Sequence, residues 1–250
     1  MARNFAGDIH GSQSGIKEVP VSDSPVSYSL DSKVATIRLD DGKANAMNLA
    51  MFAALNDALD QAAKDQAVVL LCGRERMFSA GYDLATFQSG REVIAKTLRA
   101  GGGIISKLLT FPFPVVIGCE GHAIAQGAFT LMGADVRIGA RGPFKVGLNE
   151  VVLGLTIPHY GVEAARLRLT APGFHHAATT GTLYTPERAL SAGFFDEIVE
   201  PAEVMALASA EAQRLTKLDM TAHAATKLRV RGDVAKQMLV GVEAEFPLEG

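Results

Sequence analysis

Two apolar runs constrain this chain more than any other feature. Ala67-Val68-Val69-Leu70-Leu71-Cys72 and Phe113-Pro114-Val115-Val116-Ile117-Gly118-Cys119-Glu120 hold no charged residue before their ends. Each is short, rich in β-branched residues and bounded by Gly or Pro, and reads as a buried strand. Each also leads into small residues. After Gly73, Arg74 and Glu75 end the first strand, Phe78-Ser79-Ala80-Gly81-Tyr82-Asp83-Leu84 brings a Ser-Ala-Gly corner. Such a corner lets the backbone turn sharply and lie close to a ligand. The second strand continues as Gly121-His122-Ala123-Ile124-Ala125-Gln126-Gly127-Ala128-Phe129, a stretch that suits a tight loop feeding a helix. A helix N-terminus carries unpaired N–H groups and a partial positive charge. One N–H from each corner would make an oxyanion hole, a pair of donors where negative charge develops on a carbonyl oxygen.

The rest of the chain surrounds these corners with alternating strands and helices. Val26 to Leu30 and Val34 to Leu39 flank Asp31-Ser32 as a hairpin. Asn48 is placed to cap an amphipathic helix over Leu49 to Lys64. A helix over Arg91 to Thr110 contains Gly101-Gly102-Gly103, each costing on the order of 1 kcal/mol relative to Ala, so a kinked or mobile element is expected there. Arg137 to Ala140 and Phe144 to Val146 read as short strands. Helices are expected from Gly161 to about Thr170, through His175-His176, and over Pro186 to Ala192. Two more cover Glu203 to Leu218 and Thr221 to about Phe246. The alternation indicates an α/β class. Met1 to Ser24 is polar and aperiodic and reads as a loose arm.

Composition removes several function classes. With 24 basic against 27 acidic residues the net charge is −3, which offers no field for nucleic acid. No apolar run approaches the ~20 residues of a membrane-spanning helix, and residues 1–24 lack the apolar centre of a signal peptide. A cytoplasmic protein without a membrane partner is the expectation. Cys72 and Cys119 sit in strands and read as buried, reduced thiols. No His–carboxylate cluster has metal-ligand spacing, so no metal is expected. His122 and His159 read as loop hydrogen-bonders, and His175-His176 as a surface-helix pair.

Three blocks carry a resemblance: Phe78 to Leu84, Gly121 to Asp135, and Gly147-Leu148-Asn149-Glu150-Val151-Val152-Leu153-Gly154-Leu155. In order and spacing they resemble the enoyl-CoA hydratase/isomerase (crotonase) superfamily over roughly residues 27–231. The resemblance implies a crotonase (ClpP-like) spiral of β-β-α units over residues 25–200. It also implies a helical region over 201–250 that supports trimerisation, and a homotrimer or dimer of trimers. It implies an acyl-CoA thioester as substrate and no cofactor beyond the coenzyme A that the substrate carries. The two oxyanion donors would be the backbone N–H groups of Tyr82 and Gln126, the latter at a position where the family usually has Gly. The loop Lys43-Ala44-Asn45-Ala46 would line the coenzyme A channel, notably through Lys43, Ala44 and Ala46. Ala80, Gly81, Asp83 and Leu84 would border the bound thioester, with Asp83 organising the corner by accepting backbone N–H bonds. Lys227, and beside it Arg229, are candidates for the coenzyme A phosphates, reached from a neighbouring subunit.

Glu150 is the candidate base. It lies between Gly147-Leu148-Asn149 and Val151-Val152-Leu153, where poor solvation raises a carboxyl pKa. Its setting is similar to that in the enoyl-CoA isomerase branch. Hydratases of the family carry another glutamate three residues after the second oxyanion donor, and Phe129 stands there in this chain. Adding water needs one group to activate it and another to help deliver protons, and Phe can do neither. Isomerisation needs one base and one oxyanion hole, with Phe129 as an apolar wall against water. Two other readings stay open: hydration or another crotonase reaction such as thioester hydrolysis or decarboxylation, and a non-catalytic acyl-CoA-binding protein.

Overall fold

The computed structural model describes residues 24–248 and the two-residue strand Lys17–Glu18. That strand, β1, pairs antiparallel with β2 (Val26–Asp31), so part of the expected arm is an edge strand. The remainder of the arm before Ser24 lies outside the described residues. β2 and β3 (Val34–Leu39) form the hairpin, with Asp31 opposite Val34. Asn48 caps α1 (Leu49–Lys64) by accepting the Met51 N–H at 3.0 Å, as its place before the apolar period suggests.

From there the chain repeats one plan three times. Its turns are β4 (Val68–Cys72), β5 (Arg76–Ser79) and α2 (Arg91–Thr110); β6 (Val115–Cys119), β7 (Gly121–Ile124) and α3 (Gln126–Gly133); and β8 (Val136–Ala140), β9 (Val146–Gly147) and α4 (His159–Arg168). Then follow α5 (Ala171–Thr180), β10 (Leu183–Tyr184), α6 (Pro186–Ala192), β11 (Glu197–Val199), α7 (Val204–Leu215) and α8 (Met220–Glu245). The first strand of each turn joins a seven-stranded sheet of order β1-β2-β3-β4-β6-β8-β11. The second joins a four-stranded sheet of order β10-β9-β7-β5. Successive first strands are parallel, as are successive second strands, so the chain advances as a spiral.

The unbroken apolar character of β4 has a direct cause. Val69 and Leu71 point into the main core, whereas Val68 and Leu70 point to the opposite face, where α7 covers them with Val204, Ala208 and Ala212. A strand buried on both faces needs no polar alternation. Each fully buried aliphatic side chain contributes roughly 1.5–3 kcal/mol, so the large sheet is a stiff frame. α8 lies over α2 and is pinned there by the Ser106 hydroxyl, which donates to the Ala235 carbonyl at 3.2 Å.

The structure adds detail to one expectation and corrects another. α2 is one continuous helix through Gly101-Gly102-Gly103. Gly101 and Gly102 are buried, and a Cβ on Gly102 would stand 3.1 Å from the Tyr160 ring. These glycines admit close neighbours instead of breaking the helix. Gly121 to Ile124 is a strand, held between β5 and β9, where the small residues suggested a loop. Among the described residues no helix is long and apolar enough to cross a membrane.

Candidate active site

The two small-residue corners lie side by side. β5 and β7 are parallel, with Ser79 opposite Ala123, so both chains turn at the same edge of the small sheet. Gly81 makes the contact possible: its φ is +94°, and a Cβ there would lie 2.8 Å from the Ile124 carbonyl oxygen. Met47 bonds to both neighbours of Tyr82. Its N–H donates to the Gly81 carbonyl at 2.8 Å, and its carbonyl accepts the Asp83 N–H at 3.1 Å. The Tyr82 N–H is therefore left off that ladder. Across the gap, Ala125 has a φ of +51°, a strained value for a residue with a β-carbon. It hands the chain to α3, where Gln126 is the first helical residue and its N–H has no intrahelical partner. Among the described residues, neither the Tyr82 nor the Gln126 N–H donates to another group of the chain.

Asn45 ties the neighbouring loop to this edge. Fully buried, it donates through Nδ2 to the carbonyls of Leu39 at 2.9 Å and Phe78 at 3.0 Å. The loop then runs along the corner, with the Ala80 N–H donating to the Ala44 carbonyl at 2.9 Å and the Ala46 N–H to Asp41 at 2.9 Å. Lys43 is exposed, and its carbonyl accepts from the Arg74 guanidinium at 3.0 Å. Asp83 organises the corner as expected: its carboxylate accepts the Ala85 N–H at 3.0 Å and caps the short turn Leu84–Gln88.

A cavity of about 490 Å³ opens against these residues, bordered by Ala80, Tyr82, Leu84, Asn149 and Glu150 and otherwise largely apolar. A single 3₁₀ turn, Glu150–Leu153, carries Glu150 into it. Glu150 is 6% exposed, and neither of its carboxylate oxygens has a hydrogen-bond partner. Burial pushes its carboxyl up to about 7. The Asn149 side-chain oxygen beside it is likewise buried and unpaired. A second carboxylate, Glu245, borders the cavity from the exposed end of α8, where it accepts the His159 N–H at 2.8 Å.

Of the site residues read from the sequence, Ala80, Tyr82, Leu84 and Glu150 line this cavity, whereas Lys43, Ala44, Ala46, Gly81, Asp83, Gln126, Phe129 and Lys227 do not. Phe129 is fully buried, with its ring edge-on to Tyr160 at 5.9 Å, and it packs against Gly161. It is directed toward α4 and forms no part of the cavity wall. Lys227 is 5% exposed and is held by Asp135 at 2.6 Å beside Arg231, bordering a different cavity. Burial lowers its pKa to about 8 against the pull of Asp135. The thiols of Cys72 and Cys119 are buried and unbridged. His122 lies in β7 and not in a loop, and its ring accepts the Lys145 N–H at 3.0 Å. Missed altogether was Tyr160, whose hydroxyl bonds to both Tyr82 and Gln126. No local pattern marks it. Asn149 had a signal, its place next to Glu150.

A buried carboxylate with no partner, poised near neutrality in the cavity that Tyr82 also lines, suits proton abstraction next to a carbonyl. Comparison with known proteins gives the family. The profile of the family described as enoyl-CoA hydratase/isomerase matches residues 29–248. A crystal structure of an enoyl-CoA hydratase/isomerase family protein from Pseudomonas syringae is 41% identical, with a TM-score of 0.87, covering 90% of this chain and 98% of that one. An enoyl-CoA isomerase structure from Mycobacterium tuberculosis is 40% identical, with a TM-score of 0.84 and coverage of 88% and 97%. A probable enoyl-CoA hydratase of Mycobacterium avium is 30% identical over 225 residues, 88% of this chain and 82% of that protein. The chain spans only 23% of the peroxisomal bifunctional enzyme of Pongo abelii and 62% of a probable enoyl-CoA hydratase of Bacillus subtilis, at 30% and 29% identity.

Proposed function

Because this chain belongs to the enoyl-CoA hydratase/isomerase superfamily and has its crotonase fold, we propose that it shifts the double bond of a 3-enoyl-CoA thioester to the 2-position, with Glu150 as the base. Glu150 takes a proton from C2. The electrons spread over the dienolate and onto the thioester oxygen, where the Tyr82 and Gln126 N–H groups stabilise them. Protonated Glu150 then delivers the same proton to C4. Nothing is added or lost. Each oxyanion donor of this kind is typically worth ~10²–10³ in rate. A carboxyl near 7 is suited both to take and to return a proton at neutral pH.

The observation that carries this reading is the unpaired, buried Glu150 carboxylate in a largely apolar cavity, with Phe129 where a hydratase of the family has its other glutamate. The exposed Glu245 is at the cavity's edge and already accepts a backbone N–H. The backbone of Lys43, Ala44 and Ala46 would guide coenzyme A past the corner, while Ala80, Gly81 and Leu84 border the acyl group. No further cofactor enters. Assembly as a trimer or dimer of trimers is supported by exposed apolar residues on α8, Leu228, Val230 and Val240, and mass in solution is its check.

The test is a comparison on one preparation. A 3-enoyl-CoA and a 2-enoyl-CoA of equal chain length are offered separately, and isomerisation should be much the faster. Hydration at an equal or higher rate would overturn the choice of isomerase.

A further inference from the structure

The two residues proposed to meet the thioester oxygen through their N–H groups are also joined through their side chains. The Tyr160 hydroxyl donates to Gln126 Oε1 at 2.8 Å and is hydrogen-bonded to the Tyr82 hydroxyl. Gln126 Nε2 donates in turn to the Gly101 carbonyl at 3.4 Å. Its last partner fixes the polarity of this chain. A carbonyl can only accept, so Gln126 turns its NH₂ to Gly101 and its oxygen to Tyr160. Tyr160 spends its proton on Gln126, and Tyr82 therefore donates to Tyr160. Burial, the largest influence, raises the pKa of both phenols, so the chain stays neutral and proton-bearing. With its only proton committed, Tyr82 has none to give a substrate.

The surroundings are shaped for this bridge. Tyr160 is fully buried, edge-on to Phe129. Its ring covers Gly102, where a Cβ would be 3.1 Å away. A Cβ on Gly101 would run into the Tyr82 hydroxyl and stand 3.2 Å from the Gln126 amide. α2 thus offers bare backbone where the three side chains meet. Gln126 takes part only because it has a side chain at a position where the family usually has Gly.

We propose that Tyr160 is a positioning residue: by bonding to both Tyr82 and Gln126 it sets the relative placement of their two backbone N–H groups, and so the fit of the oxyanion hole to an enolate. This rests on the reading of those N–H groups as the donors. Tyr160 itself touches no substrate.

The experiment uses acetoacetyl-CoA, a 3-oxoacyl thioester whose enolate is visible in the near ultraviolet, and a saturated acyl-CoA that cannot form that enolate. In Tyr160→Phe the ring and its packing remain and the bridge is lost. The enolate-to-keto ratio of bound ligand should fall about tenfold, the scale expected for a sub-ångström misplacement. Affinity for the saturated thioester should stay within about twofold, because ground-state contacts elsewhere hold it. Tyr82→Phe keeps the Tyr82 N–H and the Tyr160–Gln126 bond, so it strains folding less, and it should lower the ratio in the same direction. An unchanged ratio in both variants would overturn the proposal, as would a fall that merely tracks weaker binding of the saturated thioester. Wild-type protein that forms no enolate would instead remove the oxyanion hole itself, and the positioning role with it. Those failures are therefore distinguishable.

Discussion

Folding makes the Glu150 carboxyl harder to ionise, and that has a measurable consequence for stability. Its pKa rises from 4.5 to about 7 because burial disfavours the charged form. Below pH 4.5 folded and unfolded chains both hold the proton, and Glu150 costs nothing. Between 4.5 and 7 the unfolded chain ionises first, so stability is lost as pH rises. Above 7 the loss is complete, at about 3 kcal/mol for this shift. Glu150→Gln has no such titration. The stability of the variant relative to wild type should therefore grow by about 3 kcal/mol between pH 4.5 and 8, read from urea midpoints. A constant difference would mean that Glu150 ionises as freely in the folded protein as in the unfolded one. Glu150 was legible in the sequence because its apolar flanks already imply poor solvation. Phe129 was legible only as a residue type in a place. Which way its ring turns is decided by Tyr160 and Gly161 on α4. Lys227 was read as a candidate for the coenzyme A phosphates because its partner, Asp135, is remote in sequence and adjacent only in the fold.

At the scale of elements, α2 shows how propensity and packing diverge. The glycines at 101, 102 and 103 are equivalent in a helix scale, yet the structure separates them. Nothing lies within 4 Å of a Cβ on Gly103, whereas one on Gly101 overlaps the Tyr82 hydroxyl. Gly103→Ala should stabilise the protein by up to about 1 kcal/mol with activity kept. Gly101→Ala should lower isomerisation, since Tyr82 and Gln126 must move. Equal effects from the two substitutions, in denaturation and turnover, would show that α2 does not shape the site. α1 was legible residue by residue, because Asn48 caps it and its apolar period is clear. β7 was not. Gly121-His122-Ala123-Ile124 has weak strand character, and its conformation is imposed by β5 and β9 on either side.

At the scale of the molecule, the spiral brings together loop 43–47, the ends of β5 and β7, the turn at Glu150 and the start of α4. Alternating strands and helices in the sequence indicate the class. They do not reveal that the second strand of every turn leaves the large sheet to build a smaller one. The spiral of β-β-α units came only from the family resemblance, and the smaller sheet only from the structure, because hydrophobic periodicity records which side of a strand is buried, not which sheet it joins. The corners were readable as places where backbone approaches backbone; the Tyr160 bridge between them was not, since it links α4 to both. In the proposed reaction, all of this arranges one base over one thioester. The most direct test is kcat/KM for a 3-enoyl-CoA, measured for wild type and Glu150→Gln from about pH 5 to about 9. With Glu150 as the base, the wild-type value rises with pH and levels off above an apparent pKa of about 7, because the base must be ionised in the free enzyme. The variant still binds the thioester but is slower by about 10²-fold or more across the range. A Glu150→Gln protein that isomerises as fast as wild type would contradict the assignment.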